Sequence, residues 1–450
     1  MSGKAMLERF SQCNPLAVMA RAIAIQLLGE NLKQVFEKNR GRQYTDVIEF
    51  STVAMCMAEI ALGTLENRNQ AYEKYKEELG TSLVAFYGKT NRTNPRLSEE
   101  LVSYSAEQTS SLLEHLGYIP WNVLKGYRVL SLDGNHLQKT ERRLKKARDQ
   151  WAAPLPGTVV ARFDHQKQIF DRAYVLEDAH AQEPVVLERV VSDLGEGDLL
   201  LADRNFCIVH FMQDLAARKT CFVIRHNGRL KGTLLGTRAK KERSSTGMVY
   251  EQAIEIGQKN DVITLRRITV ELDEPTRDGD TVIHILTNVP CEDASTAALA
   301  DLYLTRWEIE NAFYRLTTAF TCEVKGNCHP RCALLLFCMA MFAFNCHQVL
   351  LAALYAEHDD EAVEKMSHFK ISKAIQAPME GMLTAINEEE WNSLTPRSHA
   401  GLARFLRSVS KRVKVNKYRK AVRGPKKPPP KRKRCKKGSH LSAFRLLQRC

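Results

Sequence analysis

Three acidic residues of this 450-residue chain, Asp133, Asp203 and Glu310, are candidates for holding divalent metal ions. Asp133 ends the apolar run VLSLD, and Asp203 ends the run DLLLAD. A carboxylate at the carboxyl end of a strand points into the crevice above a sheet, where ligands bind. Mg²⁺ prefers oxygen ligands, and two such ions about 4 Å apart can assist phosphodiester cleavage at both the attacking and the leaving oxygen. An aspartate after a strand is also ordinary turn chemistry, so the pair requires a third ligand.

The third ligand is predicted from the segment 301–320, DLYLTRWEIENAFYRLTTAF, which we interpret as one helix. Its apolar positions form one stripe that must face the core: Leu302, Ile309, Phe313, Leu316 and Phe320. A second stripe lies beside it: Tyr303, Arg306, Trp307, Glu310, Tyr314 and Thr317. Glu310 is thus at the edge of the buried face, whereas Glu308 projects to the opposite side. The alternative is an amphipathic core helix with a surface Arg306–Glu310 ion pair, worth under about 1 kcal/mol.

The segments around these acids predict a mixed α/β sheet. Short β-rich runs follow one another as YRVLSLDG, TVVARFD, QIFDRAYVLED, DLLLA and CFVIRHNG, with a helix over 207–218 before the last. Residues 228–290 contain three more β-rich runs, MVYEQAIEIG, DVITLRRITVEL and DTVIHILTNV, which indicate an inserted sheet. Residues 1–120 and the chain after 294 have helical patterns. They include the charged segment 70–79, QAYEKYKEEL, and a helix over 102–116 for which Ser98 is the candidate cap.

The net charge of +14 is concentrated at one end of the chain. Residues 411–450 contain seventeen Lys or Arg and no acid, which leaves 49 basic and 52 acidic residues in 1–410. Such a tail is expected to be disordered and to bind nucleic acid without sequence preference, although its run PKKPPPKRKRCKK also fits a nuclear-localisation pattern. We find no secretion signal, and polar residues interrupt the apolar stretch 333–354, so we expect a buried helix there and no membrane partner.

A cluster of cysteines and histidines, residues 322–347, raises the alternative of a zinc site. Its members are Cys322, Cys328, His329, Cys332, Cys338, Cys346 and His347. The spacings do not reproduce paired C-x2-C ligands, and most of the cluster lies on the predicted apolar helix. We therefore expect reduced, packing cysteines.

The ordered acidic blocks resemble a known family. Tyr303-x2-Arg306-x3-Glu310 is similar to most of the Tyr-Arg-Glu-Lys signature of bacterial insertion-sequence transposases of the DDE superfamily. YRVLSLDG, LLLADRNF and YLTRWEIENAF resemble the three acidic blocks, and HILTNV resembles the strand before the third. The similarity covers about 121–350 and implies an RNase H-like domain with a β-strand insertion.

The resemblance implies a DNA transposase of the cut-and-paste type, which cleaves the transposon ends and transfers the strands to target DNA. It implies two Mg²⁺ ions, replaceable by Mn²⁺, held by Asp133, Asp203 and Glu310. It assigns Tyr303 and Arg306 to DNA phosphates, which suits an arginine fork and a phenol. The partners implied are double-stranded DNA, as transposon ends and target, and a second copy in a synaptic dimer. The implied location is the bacterial cytoplasm, at the nucleoid.

Two residues beside this signature leave alternatives open. Trp307 could stack on an unpaired base or pack against the core. Thr317 stands where the signature has lysine; its hydroxyl can bond a phosphate but carries no charge, and Arg315 or Lys325 could compensate. The functional alternatives are an RNase H-like metal nuclease without strand transfer and a non-catalytic DNA-binding protein derived from a transposase.

Together these features predict an α/β protein with an RNase H-like mixed sheet, a β-rich insertion and flanking helical regions. The predicted segments are 1–120, helical, with possible DNA binding; 121–227, first part of the catalytic domain; 228–295, the insertion; 296–350, second part of the catalytic domain; 351–410, helical; and 411–450, the basic tail.

Overall fold

The structure is a computed structural model that describes residues 3–43, 48–118, 123–137, 140, 142, 144–145, 152–153, 155–258, 261–276, 279–421, 424 and 441–448. The N-terminal helices are α1 Gly3–Cys13, α2 Pro15–Leu27, α3 Glu30–Asn39, α4 Phe50–Leu62, α5 Arg68–Lys74, α6 Lys76–Leu79, α7 Leu83–Asn91 and α8 Pro95–Leu116. The strands are β1 Arg128–His136, β2 Ala152–Ala153, β3 Thr158–Asp164, β4 Ile169–Leu176, β5 Asp198–Ala202, β6 Cys221–Arg225, β7 Thr233–Ser244, β8 Gly247–Gln258, β9 Asp261–Leu272, β10 Val282–Thr287 and β11 Leu441–Ser442. The remaining helices are α9 Leu187–Ser192, α10 Val209–Ala217, α11 Thr296–Leu304, α12 Trp307–Ala319, α13 Pro330–Tyr355, α14 Asp360–Glu364, α15 His368–Ala385, α16 Glu388–Leu394, α17 His399–Ser410 and α18 Ala443–Leu447.

Nine strands form one continuous sheet in the order β4-β3-β1-β5-β6-β10-β9-β8-β7. Strands β1, β3 and β4 form an antiparallel meander, whereas β5 is parallel to β1 and β6 is parallel to β5. This order and these directions are those of an RNase H-like sheet, so the predicted fold class is confirmed. Helices α9 and α10 cover one face of the central strands, and α11 covers the other.

The helices from both ends of the chain pack into one body against the meander. Helix α13 contacts α2, α4, α8 and α17, and the apolar residues of β3 and β4 belong to the same core. The predicted segments 1–120 and 351–410 therefore share a core, and the boundary at 350 falls inside α13. In the described part of the chain, α13 is the one helix long and apolar enough to cross a membrane, and 94% of its apolar window is buried in the protein.

The β-rich insertion extends the catalytic sheet instead of forming a separate one. Strand β10 pairs with β6 on one side and with β9 on the other. Strand β7, which the sequence patterns did not predict, is an edge strand with the charged sequence TLLGTRAKKERS. Because an edge strand is only partly buried, it does not need a regular alternation of apolar residues.

The insertion also braces the helix that leads to Glu310. Glu251 of β8 accepts hydrogen bonds from Arg266 of β9 at 2.8 and 3.0 Å and from the Thr296 hydroxyl at 2.5 Å. Arg266 in turn donates to the carbonyls of Val289 and Ala294. These bonds attach the start of α11 to the sheet.

Three helix predictions differ from the structure. The segment 301–320 is not one helix, because α11 ends at Leu304 and a tight turn precedes α12. Ser98 is not a cap: it lies inside α8, whose cap is Asn94 with Pro95 at the first helical position. The charged helix expected over 70–79 is divided at Tyr75 into α5 and α6.

The predicted basic tail begins within the folded body. Val413 is buried, Arg412 pairs with Glu8 at 3.0 Å, and the backbone of Lys420 donates to Lys365. At the other end of the tail, β11 pairs with β2. The densest basic run, PKKPPPKRKRCKK, lies outside the described residues.

Replacing Glu251 with alanine should destabilise the protein by about 3 kcal/mol, because it leaves the Arg266 guanidinium partly buried without its partner. Burial raises the pKa of Glu251, but hydrogen bonds from Arg266 and Thr296 outweigh it and lower the pKa to about 2. The stabilisation that the ionised Glu251 carboxylate gives the folded protein is therefore full above about pH 4.5 and is lost as the pH falls toward 2. Thermal melts from pH 7 to 3 should show the wild-type advantage shrinking on acidification. Glu255→Ala, on the same strand and face, is the control. An equal loss of melting temperature in both variants would contradict the role of Glu251 in attaching α11 to the sheet.

Candidate active site

Asp133 and Asp203 are neighbours because of the register of two parallel strands. Leu132 of β1 pairs with Ala202 of β5, and the next residue on each strand is the aspartate. Strand β5 ends there, while β1 continues to His136 paired only with β3. Asp133 therefore does not end its strand, as the sequence suggested; it lies where β1 loses one neighbour. This opens a crevice beside both carboxylates.

Both aspartates also make the hydrogen bonds expected of an aspartate in a turn. Asp203 Oδ1 accepts from the backbone N–H of Asn205 at 2.8 Å and starts the 3₁₀ helix Arg204–Phe206. Asp133 Oδ1 accepts from the N–H of Gly134 at 2.9 Å. Each bond uses one oxygen, so a turn role and a ligand role coexist in the same carboxylate.

Glu310 approaches the aspartates through an arginine. The Arg306 guanidinium donates to Glu310 Oε1 at 2.8 Å and lies 3.8 Å from Asp133 Oδ2. Arg306 is 8% exposed, so this is not the surface ion pair of the alternative interpretation. Its Nε is buried without a hydrogen-bond partner among the described residues. The guanidinium is therefore held in place mainly by the two carboxylates.

The three acids affect one another electrostatically. Burial raises the pKa of Asp133 to about 7; Arg306 lowers it, while the nearby Glu310 and Asp203 raise it further. A carboxyl group whose pKa rises this far costs stability when it ionises. The arrangement therefore favours a cation beyond the one that Arg306 supplies.

The other residues of the predicted signature have distinct environments. Tyr303 is buried, and its ring centre lies 5.9 Å from the Arg306 guanidinium carbon. Trp307 is 57% exposed, so it does not pack into the core; the Arg306 carbon lies 5.3 Å from its ring centre. The Thr317 hydroxyl donates to the Tyr314 carbonyl within its own helix at 2.9 Å.

The side of α12 opposite Glu310 faces a cavity that is separate from the acidic crevice. Glu308 and Arg315 line a cavity of about 1030 Å³ together with residues of α8, α13 and α14. The helical geometry that separated Glu308 from Glu310 thus agrees with the structure. Neither candidate replacement for the signature lysine lies in the acidic crevice: Arg315 lines this cavity, and Lys325 lines a smaller one with Arg68 and Asn327.

Sequence reasoning missed one acid of this site. Glu183 begins the 3₁₀ helix Glu183–Val186, and its carboxylate lies against the backbone of Gly134. Asn205, whose N–H binds Asp203, donates from its side chain to Glu183 Oε2 at 3.4 Å. No strand-end position or helical stripe marks Glu183; the glycine that follows Asp133 is the only local signal, because a side chain there would collide with it.

The donor set suits divalent metal ions in its chemistry. The carboxylates of Asp133, Asp203, Glu183 and Glu310 offer hard oxygen ligands, and Arg306 is the only cation of the described residues within ion-pair distance of any of them. Among the described residues, no three His, Cys, Asp or Glu side chains already converge as a metal cluster. The acids are instead spaced by the Arg306 guanidinium. The described cysteines of residues 322–347 are not joined in disulfides.

A sheet of RNase H-like topology, with Asp203 after the end of β5 and Asp133 beside it within β1, indicates the class of protein. The comparison with family models agrees: residues 125–340 match the model described as the transposase DDE domain. The chain therefore contains a transposase DDE domain, and its function is that of a DNA transposase.

Comparisons with individual proteins add the following. No curated protein matches the chain. Among solved structures, it is similar to the piggyBac transposase in the cryo-EM structure of its synaptic complex with hairpin DNA. That similarity has a TM-score of 0.37 and 10% sequence identity, and covers 88% of this chain and 75% of the other.

Replacing Asp133 with asparagine should stabilise the metal-free protein, because it removes a carboxylate whose charge is disfavoured by burial and also repelled by Glu310 and Asp203. Since the pKa is raised from 3.8 to about 7, the cost of the ionised group is absent below about pH 4, grows up to about pH 7 and is constant above it. In EDTA at pH 8, we expect a melting temperature higher by about 2 °C. Asp214→Asn, at an exposed position of α10, is the control. A lower melting temperature for Asp133→Asn would contradict the proposed repulsion.

Proposed function

We propose that this transposase is a divalent-metal-dependent enzyme of the cut-and-paste type, with Asp133, Asp203 and Glu310 as its catalytic acids. The observation that carries the proposal is that Asp133 and Glu310 share the buried Arg306 guanidinium, while Asp203 follows β5 directly beside Asp133. We further propose membership of the bacterial insertion-sequence group with the Tyr-Arg-Glu-Lys signature, on the order and spacing of Tyr303, Arg306 and Glu310.

Two Mg²⁺ ions, or Mn²⁺ in their place, would supply activation of the attacking oxygen and charge stabilisation of the leaving oxygen. Asp133, Asp203 and Glu310 would hold them. The Arg306 guanidinium pairs with two of these carboxylates, and if cations took its place there it would be available to donate to a DNA phosphate. The fork geometry of arginine suits such a contact. Tyr303, buried beside Arg306, orients the guanidinium and offers a phenol donor.

Trp307 is the residue proposed to contact bases. Its exposed ring stands at the first turn of α12, three residues before Glu310, where DNA bound for cleavage must pass. An exposed indole next to a cleavage site can stack on a base displaced from the duplex. The Thr317 hydroxyl remains a weaker candidate for a phosphate contact.

The partners proposed are double-stranded DNA, as transposon ends and as target, and a second copy of the chain in a synaptic dimer. The basic residues of 411–450 would add affinity that does not depend on base sequence and that weakens with salt. A location in the bacterial cytoplasm follows from these partners.

Glu310→Gln should abolish cleavage of a DNA substrate carrying the element's ends in Mg²⁺, by on the order of 100-fold or more, because a neutral amide replaces a charged ligand. Glu308→Gln is a matched control on the same helix, and its cleavage rate should stay within about twofold of wild type. Gel assays of cleavage and of strand joining measure both steps. Cleavage by Glu310→Gln at the wild-type rate would refute the site. Cleavage without joining by the wild type would favour the nuclease alternative.

Trp307→Ala should weaken binding to transposon ends that contain an unpaired base by about 1–3 kcal/mol and leave binding to intact duplex almost unchanged. The exposed position of Trp307 makes a loss of stability small. Phe369→Ala, at another exposed aromatic residue, is the control. Fluorescence of 2-aminopurine at the unpaired position reports stacking directly; the same quenching in wild type and Trp307→Ala would exclude this role.

A further inference from the structure

Glu183 lies directly against the backbone that carries Asp133. A Cβ atom built on Gly134 would stand 2.0 Å from Glu183 Oε1, so the carboxylate occupies the space that any other residue at 134 would need. Its other oxygen receives the side-chain N–H of Asn205 at 3.4 Å. Asn205 thus bridges Glu183 and Asp203, which places the two carboxylates on the same side of the crevice.

This carboxylate is held without a cation. In the described part of the chain, no Lys, Arg or His lies within ion-pair distance of Glu183 or Asp203, since Arg306 is used by Asp133 and Glu310. Burial and the charge of Asp203 raise the pKa of Glu183, whereas the Asn205 hydrogen bond lowers it. A half-buried acid next to another acid is unfavourable unless a cation joins them.

The geometry points to Glu183 as a fourth carboxylate ligand of the active site, which binds a divalent cation together with Asp203. This inference rests on the proposed metal dependence, but it adds a ligand that the three-acid signature does not contain. It divides the site into two halves: Asp133 and Glu310 face Arg306, while Asp203 and Glu183 face each other across Asn205. It also explains the glycine at 134, because the approach of the Glu183 carboxylate requires a residue without a side chain.

A purely structural role for Glu183 makes different predictions. If its carboxylate only supports the turn at Gly134 or Asn205, Glu183→Gln keeps its shape and one acceptor, and metal binding stays unchanged. If Glu183 is a ligand, removal of its charge relieves repulsion in the metal-free protein and weakens the metal-bound one. The sign of the stability change with and without metal therefore distinguishes the two roles.

Mn²⁺ binding to the full chain, measured by titration calorimetry and by melting temperature in EDTA and in Mn²⁺, tests the inference. For Glu183→Gln we expect about tenfold weaker Mn²⁺ binding, a smaller Mn²⁺-induced rise in melting temperature, and no loss of melting temperature in EDTA. Glu188→Gln, exposed on the neighbouring helix, should behave as wild type. Asp203→Asn is the positive control for loss of metal binding.

Each outcome has one meaning. If Asp203→Asn loses Mn²⁺ affinity and Glu183→Gln does not, the fourth ligand is refuted and the proposed function stands. If Glu183→Gln melts lower in EDTA and binds Mn²⁺ as wild type does, its role is structural. If the wild type binds no Mn²⁺, the metal dependence itself fails, and the inference fails with it.

Discussion

The arrangement of the active site depends on one guanidinium. Arg306 is buried between Asp133 and Glu310, at 3.8 and 2.8 Å, and it joins residues from a strand and a helix that are far apart in sequence. Without a cation at this point, the ionised carboxylates around it would repel one another. The same residue must also release them if metal ions are to bind. Arg306 thus offsets the repulsion between these carboxylates in the metal-free protein.

Other parts of the structure hold that guanidinium in place. The tight turn at Thr305 and Arg306 separates α11 from α12, so that Tyr303 packs under Arg306 while Trp307 points to solvent. The insertion fixes the start of α11 through Glu251, and further bonds from its strands to Asp301 and Ala297 reinforce this contact. The β-rich insertion therefore acts on Glu310 indirectly, by setting the path of the helix before it.

The charges of this site destabilise the folded protein, and other parts of the fold must offset that cost. Four carboxylates near one arginine leave an excess of negative charge in a partly buried crevice, and burial raises the pKa of both Asp133 and Glu183. The large apolar core, which combines helices from both ends of the chain with strands β3 and β4, supplies the compensating stabilisation. Functional sites commonly contain buried or like-charged groups whose pKa values are shifted, and the rest of the fold must offset their cost in stability.

The sequence by itself predicted the three acids of the proposed site and the fold class that carries them. Asp133 and Asp203 were recognisable because each follows a run of apolar residues, and α13 was recognisable as a buried helix by its composition; both are local patterns. The tertiary structure decided what depends on distant contacts: the turn at 305–306 that a single helical periodicity hides, the fusion of the insertion with the catalytic sheet, and the burial of Arg306. Glu183 is the clearest case. Nothing in its own segment marks it. Its carboxylate reaches the site because Gly134, about fifty residues earlier in the sequence, has no side chain and leaves room for it.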